Sequence, residues 1–359
     1  MKKLSVFLLF VLLSTMICPV SAEGFQKEYQ RKVNKEYGYS YARYEDEHGR
    51  IICEYRGNKK EQSQSYTHSV LKDLGMGEHF INQLADDRIE MYANAERISS
   101  VTTYLYTDTE GNTDVVDENT AIQGAMSKFV YKPPTMEDFD GDYIYPDPTY
   151  TGNLSNTYIK ITFVVTYKGN AVYHFSIDAE WLTTPDSDER YYDAIGACAS
   201  YITVNNETRT GWYSYLETHP LMQEENEDKY EYYTHTLLGD NNFDGQEDHI
   251  SNFVDGNWNG SGAIFSFPQD SFEWWSLSED HIKQYSEFKA HYEFEGVISQ
   301  PEQTTNFSAI ASYDHCTVQL TVMPTFELSD EYNGALAFDI AEEHTVYPVE
   351  LPTLITYTP

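Results

Sequence analysis

The stretch TYIKITFVVTYKGNAVYHFSIDAEWL, residues 157–182, is the clearest indication of how this chain folds. Apolar side chains occupy odd-numbered positions on both sides of a turn at Lys168, Gly169 and Asn170. A period of two around a Gly-Asn turn is typical of an antiparallel β-hairpin, because successive side chains of a strand point to opposite faces. We therefore predict a hairpin with one buried apolar face and one solvated polar face. The polar face carries Lys160, Thr162, Thr166, His174, Ser176, Asp178 and Glu180.

Weaker alternation of the same kind recurs at Thr102–Tyr106, Phe288–Phe294 and Val318–Val322. A short apolar patch, Ile51–Cys53, predicts a further strand within a polar segment. The fold class that follows is mainly β: an antiparallel β-sandwich preceded by a small helical unit.

The helical unit is predicted between Thr67 and Ala95. Val70, Leu71 and Leu74 recur at helical spacing, and Gly75 follows as a stop signal. Further on, Asp87 and Glu90 have the spacing of a capping box and predict another helix start. The pattern predicts two or three short helices. Since each is too short to be stable alone, the unit must pack on another surface.

Three segments follow from this organisation. Residues 1–22 combine Lys2 and Lys3, an apolar core and a Val-Ser-Ala ending, which is typical of a secretory signal peptide cleaved after Ala22. Cys18 follows a bulky isoleucine, which disfavours lipid attachment at that cysteine. Residues 23–99 form a polar lead-in and the helical unit, and 100–359 form the β-sandwich region, as one body or as two lobes that divide near 220–230.

The charge of the chain is strongly negative. It has 23 basic and 58 acidic residues, and loss of Lys2 and Lys3 with the signal peptide leaves 21 against 58, a net charge of −37. Such a charge repels nucleic acid and anionic membranes. No later apolar run is long enough to span a membrane, so we predict a secreted, extracellular protein.

Cysteine usage excludes two classes of small scaffold. Cys53, Cys198 and Cys316 remain after cleavage, which permits one disulfide and leaves one thiol, and their spacing does not select the pair. A disulfide-dense framework is therefore excluded. The absence of any CxxC pair also excludes the usual structural zinc site.

The segment GDNNFDGQED, residues 239–248, predicts a metal site. Hard cations such as Ca²⁺ are bound by six to eight oxygen atoms in a compact anionic loop. The ligands that we predict are Asp240, Asn242, Asp244, Gln246 through its carbonyl, and Asp248. A polar hairpin turn in a very acidic chain is the alternative interpretation.

This segment resembles the calcium loops of EF-hands, dockerins and FG-GAP propeller repeats, with Gly245 at the sharp turn. It departs from the EF-hand at the twelfth position, where Ser251 replaces the bidentate glutamate, and it occurs once. The resemblance covers about ten residues. It implies a structural calcium ion between two strands and does not imply a fold.

Catalytic motifs do not accompany the metal loop. The chain contains no GxSxG, HExxH, GxxxxGK[ST] or GxGxxG sequence. Ser69–Lys72 matches SxxK without its companion motifs, and His315 and Cys316 are strand neighbours that face opposite ways. The aromatic run at Phe265–Trp275 suits core packing, a dimer contact or a platform for sugar rings.

Parts of the chain also resemble uncharacterised secreted proteins of Gram-positive bacteria. The resemblance rests on LKDLGMGEHFINQL at 71–84, on EWLTTP and the residues after it at 180–195, and on SYDH at 312–315. It implies export and no particular activity.

Together these observations predict a secreted, non-enzymatic, calcium-stabilised β-sandwich protein. Its role would be binding a carbohydrate or protein ligand at or near the cell surface. The alternatives are a secreted hydrolase that uses carboxylates on glycans or cell wall, and a secreted toxin or bacteriocin-like factor. The sequence does not select the ligand or the oligomeric state.

Overall fold

The computed structural model describes eighteen segments of the chain. They are residues 29–34, 39–46, 49–57, 64–108, 113–126, 130–132, 149–151, 157–183, 192–218, 230–237, 249–255, 258–268, 272–274, 282–316, 325–329, 335–339, 344–350 and 355–359.

Within these segments the protein is mainly β, and all described strand pairs are antiparallel. The first half of the chain contributes β1 (Tyr29–Asn34), β2 (Tyr39–Glu45), β3 (Ile51–Arg56), β4 (Arg97–Thr107), β5 (Thr113–Val116), β6 (Val130–Lys132), β7 (Thr149–Thr151), β8 (Thr157–Gly169) and β9 (Val172–Trp181). The second half contributes β10 (Tyr192–Ser200), β11 (Ile202–Thr218), β12 (Tyr230–Leu237), β13 (His249–Asp255), β14 (Trp258–Pro268), β15 (Phe272–Trp274), β16 (Ile282–Ile298), β17 (Thr305–Phe307), β18 (Ala309–Cys316), β19 (Thr325–Ser329), β20 (Ala335–Asp339), β21 (His344–Glu350) and β22 (Ile355–Tyr357).

Two sheets dominate the described structure. The larger has the order β1-β2-β3-β4-β8-β9-β16-β11-β12, with β5 beside β4 and β15 beside β16, and the smaller has the order β13-β14-β10-β18-β21. The pairs β17-β22, β19-β20 and β6-β7 form separate ribbons. The patch Ile51–Cys53 is a strand, as predicted, and with β1 and β2 it extends the large sheet.

The hairpin predicted at 157–182 is confirmed as β8 and β9. Tyr167 pairs with Tyr173, and the turn positions Gly169, Asn170 and Ala171 all have positive φ. The odd-numbered side chains of both strands lie in the core between the two sheets, with Phe163, Phe175 and Ile177 fully buried. This packing confirms the β-sandwich. Of the other predicted strands, 318–322 lies outside the described residues.

Four helices occur in the described residues: α1 (Gln64–Asp73), α2 (Glu78–Gln83), α3 (Asp86–Asn94) and α4 (Glu118–Met126). The first three are those predicted between Thr67 and Ala95. The capping box at Asp87 and Glu90 is wrong, because α3 begins at Asp86 after Ala85 and has no side-chain cap. Asp87 instead lies in the first turn, where a carboxylate is favoured by the helix dipole.

The polar face of the large sheet is buried, so its predicted solvation is wrong. His174 and Asp178 are 0% and 2% exposed, because α1, α2 and α3 cover this face. Short helices need a surface for their apolar side chains, and the sheet provides one. Two hydroxyls of the sheet also donate to carbonyls at the end of α1. Ser100 Oγ donates to the Leu74 carbonyl at 2.7 Å, and Thr162 Oγ1 donates to the Gly75 carbonyl at 3.2 Å. The described part of the molecule therefore has three layers: helices, large sheet and small sheet.

Candidate functional site

A row of four large polar side chains crosses one end of the large sheet. Arg56 on β3 pairs with Arg97 on β4, Arg97 pairs with Tyr167 on β8, and Tyr167 pairs with Tyr173 on β9. Directly paired residues of neighbouring strands share a face, so the four side chains lie side by side on the face toward the small sheet. We call these residues the Arg-Tyr row.

The C-terminal strand β22 forms the opposite wall of this region. It pairs with β17, and Tyr357 and Ile355 pack into the core between the sheets. The Arg97 guanidinium donates through Nη1 to the Thr356 carbonyl at 2.9 Å, which joins the row to this wall.

Between the row and the wall lies a cavity of about 530 Å³, which we call the Arg-Tyr cleft. Beside it, a second cavity of about 210 Å³ shares Arg56, Arg97 and Thr356 with the cleft. The cleft is lined by Arg56, Gly57, Glu96, Arg97, Tyr167, Tyr173, Thr356, Tyr357 and Thr358.

The two arginines of the cleft are not neutralised by neighbouring acids. Among the described residues, no carboxylate lies within ion-pair distance of either guanidinium, although Glu96 lines the cleft and Glu54 lines the adjoining cavity. Arg56 is exposed. Like charges directly opposite each other on adjacent strands destabilise a sheet, and a bound anion would relieve this repulsion.

The tyrosines of the row give the cleft ring surface and neutral hydroxyls. Tyr167 is half-buried and lies 5.0 Å from Tyr173, ring centre to ring centre. Burial raises the pKa of Tyr173 despite the nearby Arg97 charge, so its phenol remains protonated and able to donate a hydrogen bond.

On the opposite face of the large sheet, a buried ionic network lies under α3. Glu293 accepts a bond from Arg88 Nε at 2.6 Å and lies 3.1 Å from His174 Nε2 and 3.4 Å from His291 Nε2. His291 donates through Nδ1 to Asp178 at 2.6 Å, and its ring stacks on Trp212 at 5.4 Å. We call Arg88, His174, Asp178, His291 and Glu293 the buried network.

The pKa values of His291 and Glu293 favour the charged forms of these two side chains. Burial lowers the pKa of His291, but the bonds to Asp178 and Glu293 and their negative charge raise it to about 9. Burial raises the pKa of Glu293, but the His174 and His291 partners bring it well below its usual range. The network thus holds opposite charges beneath the helices, and its side chains are at most 5% exposed except for Arg88 at 17%. It lies too deep to act on a substrate.

A third feature is a pocket of about 260 Å³ beside α4. It is lined by the Cys53 thiol, by Tyr41 and by the Arg43–Glu118 ion pair, whose atoms lie 3.1 Å apart. The Tyr104 hydroxyl donates to the second Glu118 oxygen at 2.9 Å. Burial raises the pKa of Cys53, which keeps the thiol protonated and unreactive. Cys53 and Cys198, whose side chains are described, are both free and buried.

A serine–histidine contact also occurs in the structure. Ser214 Oγ lies 3.3 Å from His79 Nε2, and burial together with the Lys289 charge lowers the pKa of His79. Ser214 is fully buried, so a substrate carbonyl would not reach this hydroxyl in the described conformation. The contact is therefore best explained as a link between α2 and β11.

The predicted calcium ligands lie outside the described residues: Asp240, Asn242, Asp244, Gln246 and Asp248. The flanking strands β12 and β13 are described, and they belong to the large and the small sheet respectively. Within the described residues no cluster of three or more His, Cys, Asp or Glu side chains has the geometry of a metal site.

The aromatic run has a described member in the core. Phe265 is fully buried, and its ring stacks on that of Tyr292 with 5.5 Å between the ring centres. This residue therefore packs in the core, as one interpretation of the run predicted. Trp275 lies outside the described residues.

No known family model and no curated protein matches the chain. Among solved structures, the chain is similar to the major pilin SpaA of Corynebacterium diphtheriae, with 10% sequence identity and a TM-score of 0.24. The match covers 67% of this chain and 62% of the pilin chain, which is less than two thirds of the pilin's length. A likeness of this degree carries no argument about function. In the described part of the chain, no helix is long and apolar enough to cross a membrane.

Sequence reasoning missed the Arg-Tyr row and the buried network. Both join residues that are distant along the chain; Arg88 and Glu293, for example, are 205 positions apart. The fourth helix did have a local signal, because Asp117 caps it by accepting the Thr120 backbone N–H at 3.0 Å.

Proposed function

We propose that this chain is a secreted, non-enzymatic binding protein that acts at or near the cell surface and holds its ligand in the Arg-Tyr cleft. The observation that supports this proposal is the chemistry of the cleft. It combines two arginines without carboxylate partners among the described residues, three tyrosines and exposed backbone and hydroxyl groups. These groups recognise ligands, and none of them is a nucleophile paired with a base.

The buried network supports a binding role over catalysis for a separate reason. Histidines and carboxylates with displaced pKa values are the usual signature of acid–base chemistry. Here the two groups with displaced pKa values, His291 and Glu293, are sealed between α3 and the sheet, where they hold structural elements together.

The calcium part of the proposal rests on the sequence of residues 240–248. A Ca²⁺ ion there would fix the connection between β12 and β13, which belong to different sheets. Its role would be structural, because a shell filled by protein oxygens leaves no open position for chemistry.

Co-sedimentation tests the proposed function directly. The secreted chain is mixed with purified Gram-positive cell walls and with insoluble polysaccharides, and the bound fraction and the release of new reducing ends are measured. We expect retention without release of sugar. Turnover that a single Asp or Glu substitution abolishes would identify a carboxylate-dependent hydrolase instead, and failure to bind any surface would reject the binding role.

A further inference from the structure

We infer that the ligand of the Arg-Tyr cleft is a saccharide that carries a carboxylate group. This inference rests on the proposed function and adds the class of ligand.

The two guanidinium groups of the cleft are the reason that we assign a carboxylate to the ligand. Arg56 and Arg97 are directly paired on β3 and β4, so their side chains leave the same face of the sheet at neighbouring positions. A guanidinium presents paired N–H donors that match the two oxygens of a carboxylate, and charge-assisted bonds of this kind are the strongest that side chains make. In a chain of net charge −35, two adjacent arginines without an acidic partner among the described residues form a local exception to the overall charge.

The acids near the cleft limit how much negative charge it accepts. Glu96 lines the cleft and Glu54 lines the adjoining cavity. Two negative charges beside two arginines favour a ligand with few carboxylates over a densely charged polyanion, because each further ligand carboxylate would face a protein carboxylate. The hydroxyls of a sugar are neutral donors and acceptors, so a saccharide with a single carboxylate suits this lining.

The tyrosine rings and the volume of the Arg-Tyr cleft also suit a saccharide. Tyr167 and Tyr173 continue the row from Arg97, and Tyr167 is half-buried, which leaves part of its ring available for a sugar ring. The cavity of about 530 Å³ lies within the range of ligand sites, roughly 300–1,000 Å³. Thr356 and Thr358, both exposed on the opposite wall, add hydroxyl and backbone groups.

Titration calorimetry with defined probes tests the inference. The secreted chain is titrated with an aldotriouronic acid, which carries one carboxylate on three sugar rings, with the same trisaccharide after reduction of its carboxyl group, and with an N-acetylated tripeptide that ends in a free carboxylate. We expect saturable binding of the aldotriouronic acid only. Because Arg56 is exposed, has no described partner and lies opposite Arg97, Arg56→Gln should not lower the melting temperature and should weaken binding at least about tenfold.

Lys72→Gln is the matched control, since it removes one positive charge on α1, on the other side of the large sheet. We expect it to leave the affinity unchanged. Equal binding of the reduced trisaccharide, preference for the peptide, no binding of the aldotriouronic acid, or full affinity in Arg56→Gln would each overturn the inference. Because cell-wall retention is measured separately, the binding role can stand when the assignment to acidic saccharides fails.

Discussion

Glu293 illustrates how a single carboxylate can organise a buried face. It lies within 3.4 Å of nitrogen atoms from Arg88, His174 and His291, which belong to α3, β9 and β16. Burying a carboxylate is strongly unfavourable unless it is paired and hydrogen-bonded. These three partners meet that condition and fix the helix to the sheet.

We therefore expect Glu293→Gln to lower the free energy of unfolding by about 3 to 5 kcal/mol, because three buried cationic or donor groups lose their anion. Urea denaturation at pH 6 measures the change. Glu287→Gln is the control: Glu287 is 51% exposed and lies 3.8 Å from Lys289, so its loss should cost less than about 1 kcal/mol. Similar losses in the two variants would show that the network contributes little.

The glycine that ends α1 also positions the helix layer against the large sheet. Gly75 has a φ of +96°, its N–H donates to the Lys72 carbonyl, and the Met76 N–H donates to the Leu71 carbonyl. These two bonds are the Schellman pattern that closes a helix at a residue in the left-handed region. The same turn brings the chain against Thr102 on the sheet.

Gly75→Ala should therefore be costly for two reasons. An added Cβ meets an unfavourable positive φ and would lie 2.3 Å from Thr102 Oγ1. We expect a loss of roughly 2 to 4 kcal/mol in the free energy of unfolding.

Gly169→Ala is the matched comparison, because Gly169 has a φ of +92° and no atom within 4 Å of the added Cβ. We expect Gly169→Ala to lower the free energy of unfolding by about 1 to 2 kcal/mol, because only the unfavourable positive φ contributes. The difference between the variants, measured by thermal and urea unfolding, isolates the steric contribution. No difference would mean that the helix layer moves freely away from Thr102.

For the whole molecule, the buried network predicts a pH optimum of stability. The pKa of His291 is raised from 6.5 to about 9, so its contribution is complete below 6.5 and is lost as pH rises through 9. The pKa of Glu293 is lowered from 4.5, so its contribution is complete above 4.5 and is lost at lower pH. Both contributions are complete between these two limits.

We expect the free energy of unfolding to fall by about 3 kcal/mol between pH 6 and pH 10, because one pKa unit corresponds to about 1.4 kcal/mol. Urea unfolding across this range checks the wild type, and His291→Gln should lack most of the fall. An NMR titration of the His291 ring is an independent measurement. A pKa near 6.5 in the folded protein would contradict the prediction.

Calcium binding should also affect the stability of the whole molecule. If residues 240–248 bind the ion, saturating Ca²⁺ should raise the melting temperature of the wild type by roughly 5 °C or more, because a ligand that binds only the folded state stabilises it. Asp240→Ala and Asp244→Ala should not respond. Equal melting of all three proteins in calcium and in chelator would assign the segment to an ordinary turn.

Elements whose signals are local could be predicted from the amino-acid sequence. The alternation of 157–182 gave β8, β9 and the apolar side of the sandwich, since every second side chain of a strand lies on one face. The apolar spacing at Val70, Leu71 and Leu74, followed by Gly75, gave the first helix and its end. These patterns depend only on neighbours within a few positions.

What packs against each face of the sheet could be learned only from the three-dimensional structure. Alternation marks the side of β9 that bears His174 and Asp178 as polar, but it does not say whether water or a helix covers that side; α3 covers it here. The Arg-Tyr row likewise required the pairing of β3, β4, β8 and β9, which brings Arg56 and Tyr173 into one row. Both sites arise from contacts between distant parts of the chain, and no spacing within the sequence encodes such contacts.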